Sequence, residues 1–154
     1  MQAAAYVKTP IFVLNSKYDT WQEKAIIGAN TTITNKSLPP AAKSFWTAYG
    51  TKMVSMLEAL PPQHGYYVSN CAAHCQSGTP EAWIDMTIDG TGMGQAFVAW
   101  HQLHSSSASA SASAAAATAT RVVEQCDVSP CGSDVCHKRM GGRLDMRRVD
   151  PILA

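Results

Sequence analysis

Two short apolar runs stand out against an otherwise mixed chain. Ile11-Phe12-Val13-Leu14 is a continuous β-favouring stretch, and Gly65-Tyr66-Tyr67-Val68 is a second. Such runs suit strands buried on both faces of a parallel sheet, where polar alternation is absent. Between them the pattern changes period. Phe45, Trp46, Tyr49, Met53, Met56, Leu57 and Leu60 recur at the spacing of one helix face, while Lys43, Thr47, Lys52 and Ser55 fall largely on the other. This predicts an amphipathic helix over Ala41–Leu60, started by Pro39-Pro40 and stopped by Pro61-Pro62. Strand, helix, strand in that order predicts a crossover βαβ unit with parallel strands. A further helix is expected over Thr91–His104, with Met93, Phe97, Trp100 and Leu103 inward.

The polar positions after each strand carry the chemistry. Asp19 follows the first run, and Thr20-Trp21-Gln22-Glu23 reads as a capping box that starts a short helix at once. His74 follows the second run in Ser69-Asn70-Cys71-Ala72-Ala73-His74-Cys75-Gln76-Ser77. Both groups are then expected at the C-terminal ends of parallel strands, where open α/β sheets place their active sites. An acid followed by a histidine is the second half of the Ser…Asp…His chain order of α/β-hydrolases. The first half has no counterpart, because no Gly-x-Ser-x-Gly elbow occurs in the 154 residues. Read singly, Asp19 is a helix cap and His74 a surface histidine. It is their paired placement that favours an acid–base couple. His64, His101 and His104 carry no motif, and Trp21, Trp46, Trp83 and Trp100 are read as core.

Composition narrows the class. Apolar residues make up 46% and charged residues 15%, a globular rather than disordered balance. A formal net charge of +1 gives no reason to expect a nucleic-acid partner. No apolar run approaches the ~20 residues of a membrane span. Five cysteines, three of them in Cys126…Cys131…Cys136, suggest disulfides and an oxidising compartment; the disulfide candidates are Cys71, Cys75, Cys126, Cys131 and Cys136. The odd count leaves one free or paired outside the chain. Zinc is the alternative for Cys126, Cys131, Cys136 and His137, but their spacing fits no common finger well, so neither a metal nor a cofactor is expected. Asn30 and Asn35 begin glycosylation sequons in the polar loop over residues 28–40. The first residues hold no apolar core of a signal peptide, so a secretory-style chain is expected to have its N-terminal portion, signal included, outside this sequence.

These motifs resemble those of the pectin acetylesterase and Notum carboxylesterase family. The matching features are Pro10-Ile-Phe-Val-Leu-Asn…Tyr18-Asp19-Thr-Trp-Gln22, then Cys71-Ala-Ala-His74-Cys75-Gln76-Ser77, then Trp83, then the terminal cysteine cluster with His137. The likeness covers about Thr9 to Trp100 and the cysteine tail. It implies an α/β fold, here the C-terminal portion of an α/β-hydrolase-like domain with parallel strands, crossover helices and an incomplete sheet. It further implies Asp19 as the triad acid, His74 as the general base, and a nucleophilic serine upstream of the chain. Cys71 and Cys75 would stiffen the His loop, and the tail cysteines would staple the C-terminus back. At the His loop the plant members look closer, which implies an acetylated polysaccharide as substrate and a secreted, extracellular or cell-wall location.

Three segments are expected: 1–104 bearing the acid and His loops, 105–120 a Ser/Ala low-complexity insertion, and 121–154 a cysteine-rich tail. Helices on one face of two or three strands would leave a half-covered core and an open sheet edge, so the chain should need its missing portion, both to fold and to act. The competing readings are an inactive remnant or binding module of the same fold, and a small secreted protein stabilised by zinc or disulfides.

Overall fold

A computed structural model describes residues 6–28, 39–78, 80–105 and 120–125. The predicted glycosylation sites Asn30 and Asn35, the cysteines Cys126, Cys131 and Cys136, and most of the Ser/Ala segment lie outside the described residues.

Strand β1 (Phe12–Tyr18) pairs in parallel with β2 (Gly65–Ala72), with Val13 opposite Tyr66 and Leu14 opposite Tyr67. Both strands run several residues further than their apolar cores, because the added Asn15-Ser16-Lys17-Tyr18 and Ser69-Asn70-Cys71-Ala72 continue the ladder. Helix α1 (Pro40–Glu58) makes the crossover. A third strand, β5 (Arg121–Val123), joins β2 in parallel and gives the order β1-β2-β5. That strand was not anticipated. Three residues after a Ser/Ala stretch carry too little pattern to be read, yet they enter the sheet and make β2 central.

The one-sided core expected from the sequence is corrected by the structure. Helices cover both faces of the sheet. On one face Leu57 and Leu60, with Met53 and Val54, pack on Tyr66, Val68 and Val13. On the other, Tyr67, Phe12, Leu14 and Val122 pack on Ala82, Ile88, Met93 and Ala96. The second layer is built from α2 (Pro80–Asp85), the two-residue strands β3 (Thr87–Ile88) and β4 (Thr91–Gly92), and α3 (Met93–Ser105). Asp89 and Gly90, both at positive φ, turn the β3–β4 hairpin, as an Asp-Gly pair favours. Thr91 therefore belongs to the hairpin, and the expected helix starts two residues later. Alternation of side chains along β2 explains the division, since successive residues point to opposite faces. All of Gly65–Cys71 is buried.

Helix α1 keeps its predicted span within two residues, but its seam is shifted. Trp46, Gly50 and Leu57 are buried, whereas Phe45 is largely exposed. Phe12, Phe97, Trp100 and Trp83 form an aromatic cluster on the opposite face, with ring centroids 5.4–5.9 Å apart between neighbours. At the N-terminal end of the sheet, Arg121 donates to the carbonyls of Leu60, Pro61 and His64 and lies over the Tyr66 ring. This ties β5 to the α1–β2 connection, which is why a three-residue strand holds its place. No helix among the described residues is long and apolar enough to cross a membrane.

Candidate active site

The C-terminal ends of β1 and β2 carry an irregularity that sets the site. Ser16 lies opposite Ser69, but Tyr18 lies opposite Ala72, so β2 gains one residue over β1. This is a bulge, a device that re-aims the residues beyond it. The Ser16 hydroxyl bridges it, donating to the Cys71 carbonyl and accepting from the Tyr18 amide. The Asn70 amide is taken up by the Glu124 carboxylate at 2.6 Å, and the Lys17 ammonium donates to the Glu124 carbonyl. The bulge therefore leaves no backbone donor stranded at these positions, as burial demands.

Beyond the bulge Asp19 leaves β1 and His74 leaves β2. Nδ1 of His74 lies 2.8 Å from Oδ2 of Asp19 and 3.1 Å from Oδ1. Oδ1 also accepts the amides of Trp21 and Gln22, at 3.0 and 2.9 Å. The cap of the following turn is thus Asp19, not Thr20 as the capping-box reading had it; Thr20 already lies inside the turn. The turn widens into a π-helical segment, Gln22–Ile26, closed by the Ile27 amide on the Gln22 carbonyl. Glu23 is fully buried in it.

The carboxylate is nearly enclosed, its side chain 8% exposed, while that of His74 is 44% exposed. An enclosed carboxylate held by two backbone amides and an imidazole edge is a fixed acceptor. With Nδ1 given to Asp19, the nitrogen left to face a reactant is Nε2. On one face the His74 ring is stacked by Trp21, with centroids 5.8 Å apart and ring planes 26° from parallel. Beside the pair, Tyr49 donates its phenol to Gln22 Oε1 at 2.6 Å. Burial raises the Tyr49 pKa above its ordinary value, and the charges of Asp19 and Glu23 raise it further. Tyr49 is accordingly a neutral donor here.

The His loop is anchored from below. Gln76 accepts the Ser69 hydroxyl at 2.8 Å, and the Gly78 amide closes a turn on the Cys75 carbonyl. Cys75 sits at positive φ and carries a free, exposed thiol. Cys71 is buried and disulfide-bonded. The two cysteines that flank His74 are thus not joined to each other, and the expectation of Cys75 as a disulfide residue is corrected. No group of three metal-ligating side chains occurs among the described residues. The sequence reading missed Ser16, Trp21 and Glu124. Trp21 could have been suspected from its place two residues after the acid, whereas nothing in the sequence connects Glu124 with Asn70.

A parallel sheet layered between helices, with an acid and a histidine meeting at its C-terminal edge, defines a partial α/β-hydrolase-like protein. A family model described as pectinacetylesterase matches residues 1–131. The chain belongs to that family. It is 29% identical over 90 residues to pectin acetylesterase 7 of Arabidopsis thaliana, an alignment covering 50% of this chain and 23% of the relative. It is 27% identical over 113 residues to pectin acetylesterase 11 of the same plant, covering 63% of this chain and 29% of the relative. The chain spans roughly a quarter of the length of these relatives. No solved structure matches it.

Proposed function

We propose that this chain supplies the acid and base of a Ser-His-Asp carboxylic-ester hydrolase that removes acetyl groups from a polysaccharide such as pectin. The nucleophilic serine lies outside these 154 residues. The observation that carries the reading is the contact of His74 Nδ1 with the buried Asp19 carboxylate, at the ends of two adjacent parallel strands. Membership of the pectinacetylesterase family and the absence of a Gly-x-Ser-x-Gly elbow from the chain support it.

In this reading Asp19 fixes the imidazole with its proton on Nδ1 and stabilises the imidazolium. Nε2 of His74 then takes the serine proton as the hydroxyl attacks the acetyl carbonyl. It returns that proton to the oxygen of the departing sugar hydroxyl. Water, deprotonated by the same nitrogen, attacks the acyl-serine; the ester bond to the serine breaks, acetate leaves and the imidazolium returns its proton to the serine oxygen. The disulfide at Cys71 accords with a full-length protein acting in an oxidising, extracellular or cell-wall setting.

The test is fluorophosphonate labelling of native source material, with mass spectrometry of any labelled species that contains the His74 peptide. The expected result is a label on a serine, in a species well above 16.5 kDa. An unlabelled 16.5 kDa species would turn the function towards binding. Esterase turnover by the purified chain, abolished by His74→Ala, would overturn the placing of the serine outside it.

A further inference from the structure

Among the described residues Trp21 is the one aromatic residue in face contact with His74, and sequence patterning gave it no role beyond the core. It is not a core residue. It is 52% exposed, and it is carried on the turn that Asp19 caps. The contacts form a closed ring. Asp19 Oδ1 holds the Trp21 amide, the Trp21 indole stacks on the His74 imidazole, and His74 Nδ1 returns to the Asp19 carboxylate. Asp19 and Trp21 thereby fix the imidazole at its edge and across its face.

We propose that Trp21 is a positioning residue for His74, and that its indole face favours the imidazolium over the neutral ring. The proposal rests on the reading of His74 as the general base. A centroid separation of 5.8 Å lies within the range where an aromatic face attracts a cation. The neutral ring gains only stacking from the same contact. The indole therefore acts more strongly when His74 holds the serine proton than when substrate first binds, which is the condition for lowering a barrier. Among the described residues, the other ionisable groups near the imidazole are Asp19 at its edge, Glu23, Tyr49, on which the charges of Asp19 and Glu23 both act, and the Cys75 thiol on the same loop. None of them covers the ring face that Trp21 occupies.

The test compares Trp21→Leu and Trp21→Phe in the serine-bearing full-length protein. Trp21→Leu is expected to lower kcat about two- to fivefold with KM unchanged. Trp21→Phe, which keeps a π-face, is expected to restore most of the loss. A raised KM with unchanged kcat would overturn the proposal and make Trp21 a sugar platform. Unchanged kcat and KM would also overturn it. If the leucine variant does not fold, Trp21→Met against Trp21→Phe makes the same comparison.

Failure of the underlying reading would be seen separately, as full activity in His74→Ala. The contact itself is read without catalysis, by proton NMR of the same full-length protein. There the His74 ring protons should resonate upfield of those in Trp21→Leu, and identical shifts would refute the stacking.

Discussion

Asp19 and His74 meet through Oδ2 and Nδ1 at 2.8 Å, and Oδ1 of the same carboxylate holds the amides of Trp21 and Gln22. One side chain thus begins a helical turn and orients an imidazole. Oδ1 carries both amides and only the longer contact to His74, while Oδ2 carries the shorter one, so the structural role and the proposed catalytic role of Asp19 can be separated by mutation.

Asp19→Asn keeps an oxygen for the Trp21 and Gln22 amides but loses the charge that holds the histidine tautomer. In the full-length protein it should cut kcat by about four orders of magnitude with little change in stability. Asp19→Ala should lose the cap as well, at a cost of about 0.5–2 kcal/mol. Steady-state kinetics together with urea unfolding of the two variants check this. Equal destabilisation by Asn and Ala would refute the division of labour.

Ser16→Ala removes the hydroxyl that bridges the strand bulge, and with it the bonds to the Cys71 carbonyl and the Tyr18 amide. Ser16 is 2% exposed, so water does not readily replace it. The expected loss is about 1–3 kcal/mol. Because the bulge aims Asp19 and His74, the imidazole resonances of His74 should shift in the same variant. Unfolding midpoints and a nitrogen-15 spectrum of the histidines measure both effects.

Gly65 begins β2 where no side chain fits. A Cβ there would lie 2.5 Å from Phe12 Cδ2 and 2.8 Å from Trp100 Cδ1, both in the aromatic cluster. Gly65→Ala should cost about 1–3 kcal/mol through overpacking. A paired Gly65→Ala, Phe12→Leu variant should recover part of that loss, which a double-mutant cycle in denaturant would show.

Tyr49 and Tyr66 both have pKa values raised above the ordinary 10.0. Burial is the first cause in each; Asp19 and Glu23 add to it at Tyr49, and at Tyr66 Arg121 opposes it. A group whose folded pKa is raised binds its proton more tightly in the folded state. Its contribution is complete below pH 10 and is lost as pH climbs through the folded value. Denaturant unfolding should therefore show stability falling from pH 10 upward. Tyr49→Phe should flatten part of that slope, and an unchanged slope would contradict the assignment.

The sequence by itself determined a good deal of this. Ile11–Leu14 and Gly65–Val68 declared strands because continuous apolar runs between turn residues leave few alternatives; the second is buried as expected, whereas the first is only half-buried because β1 lies at the sheet edge. The 3.6-residue recurrence from Phe45 to Leu60 declared the crossover helix. The positions of Asp19 and His74 just past those strands were enough to pair them, since parallel neighbours bring their C-terminal ends together. Tertiary structure alone decided the rest. The strand Arg121–Val123 is too short to carry a pattern and is held by Arg121 on carbonyls about sixty residues earlier in the chain. The second helical layer depends on which face of β2 each side chain takes, and that is fixed only by register with β1. The bulge between Ser16 and Tyr18, the Glu124 carboxylate on Asn70 and the Trp21–His74 stack are contacts between residues with no local sequence relation. A sequence displays local preference and period. Which distant groups then meet, and at what angle, is settled only when the strands pair and the two helical layers close over them.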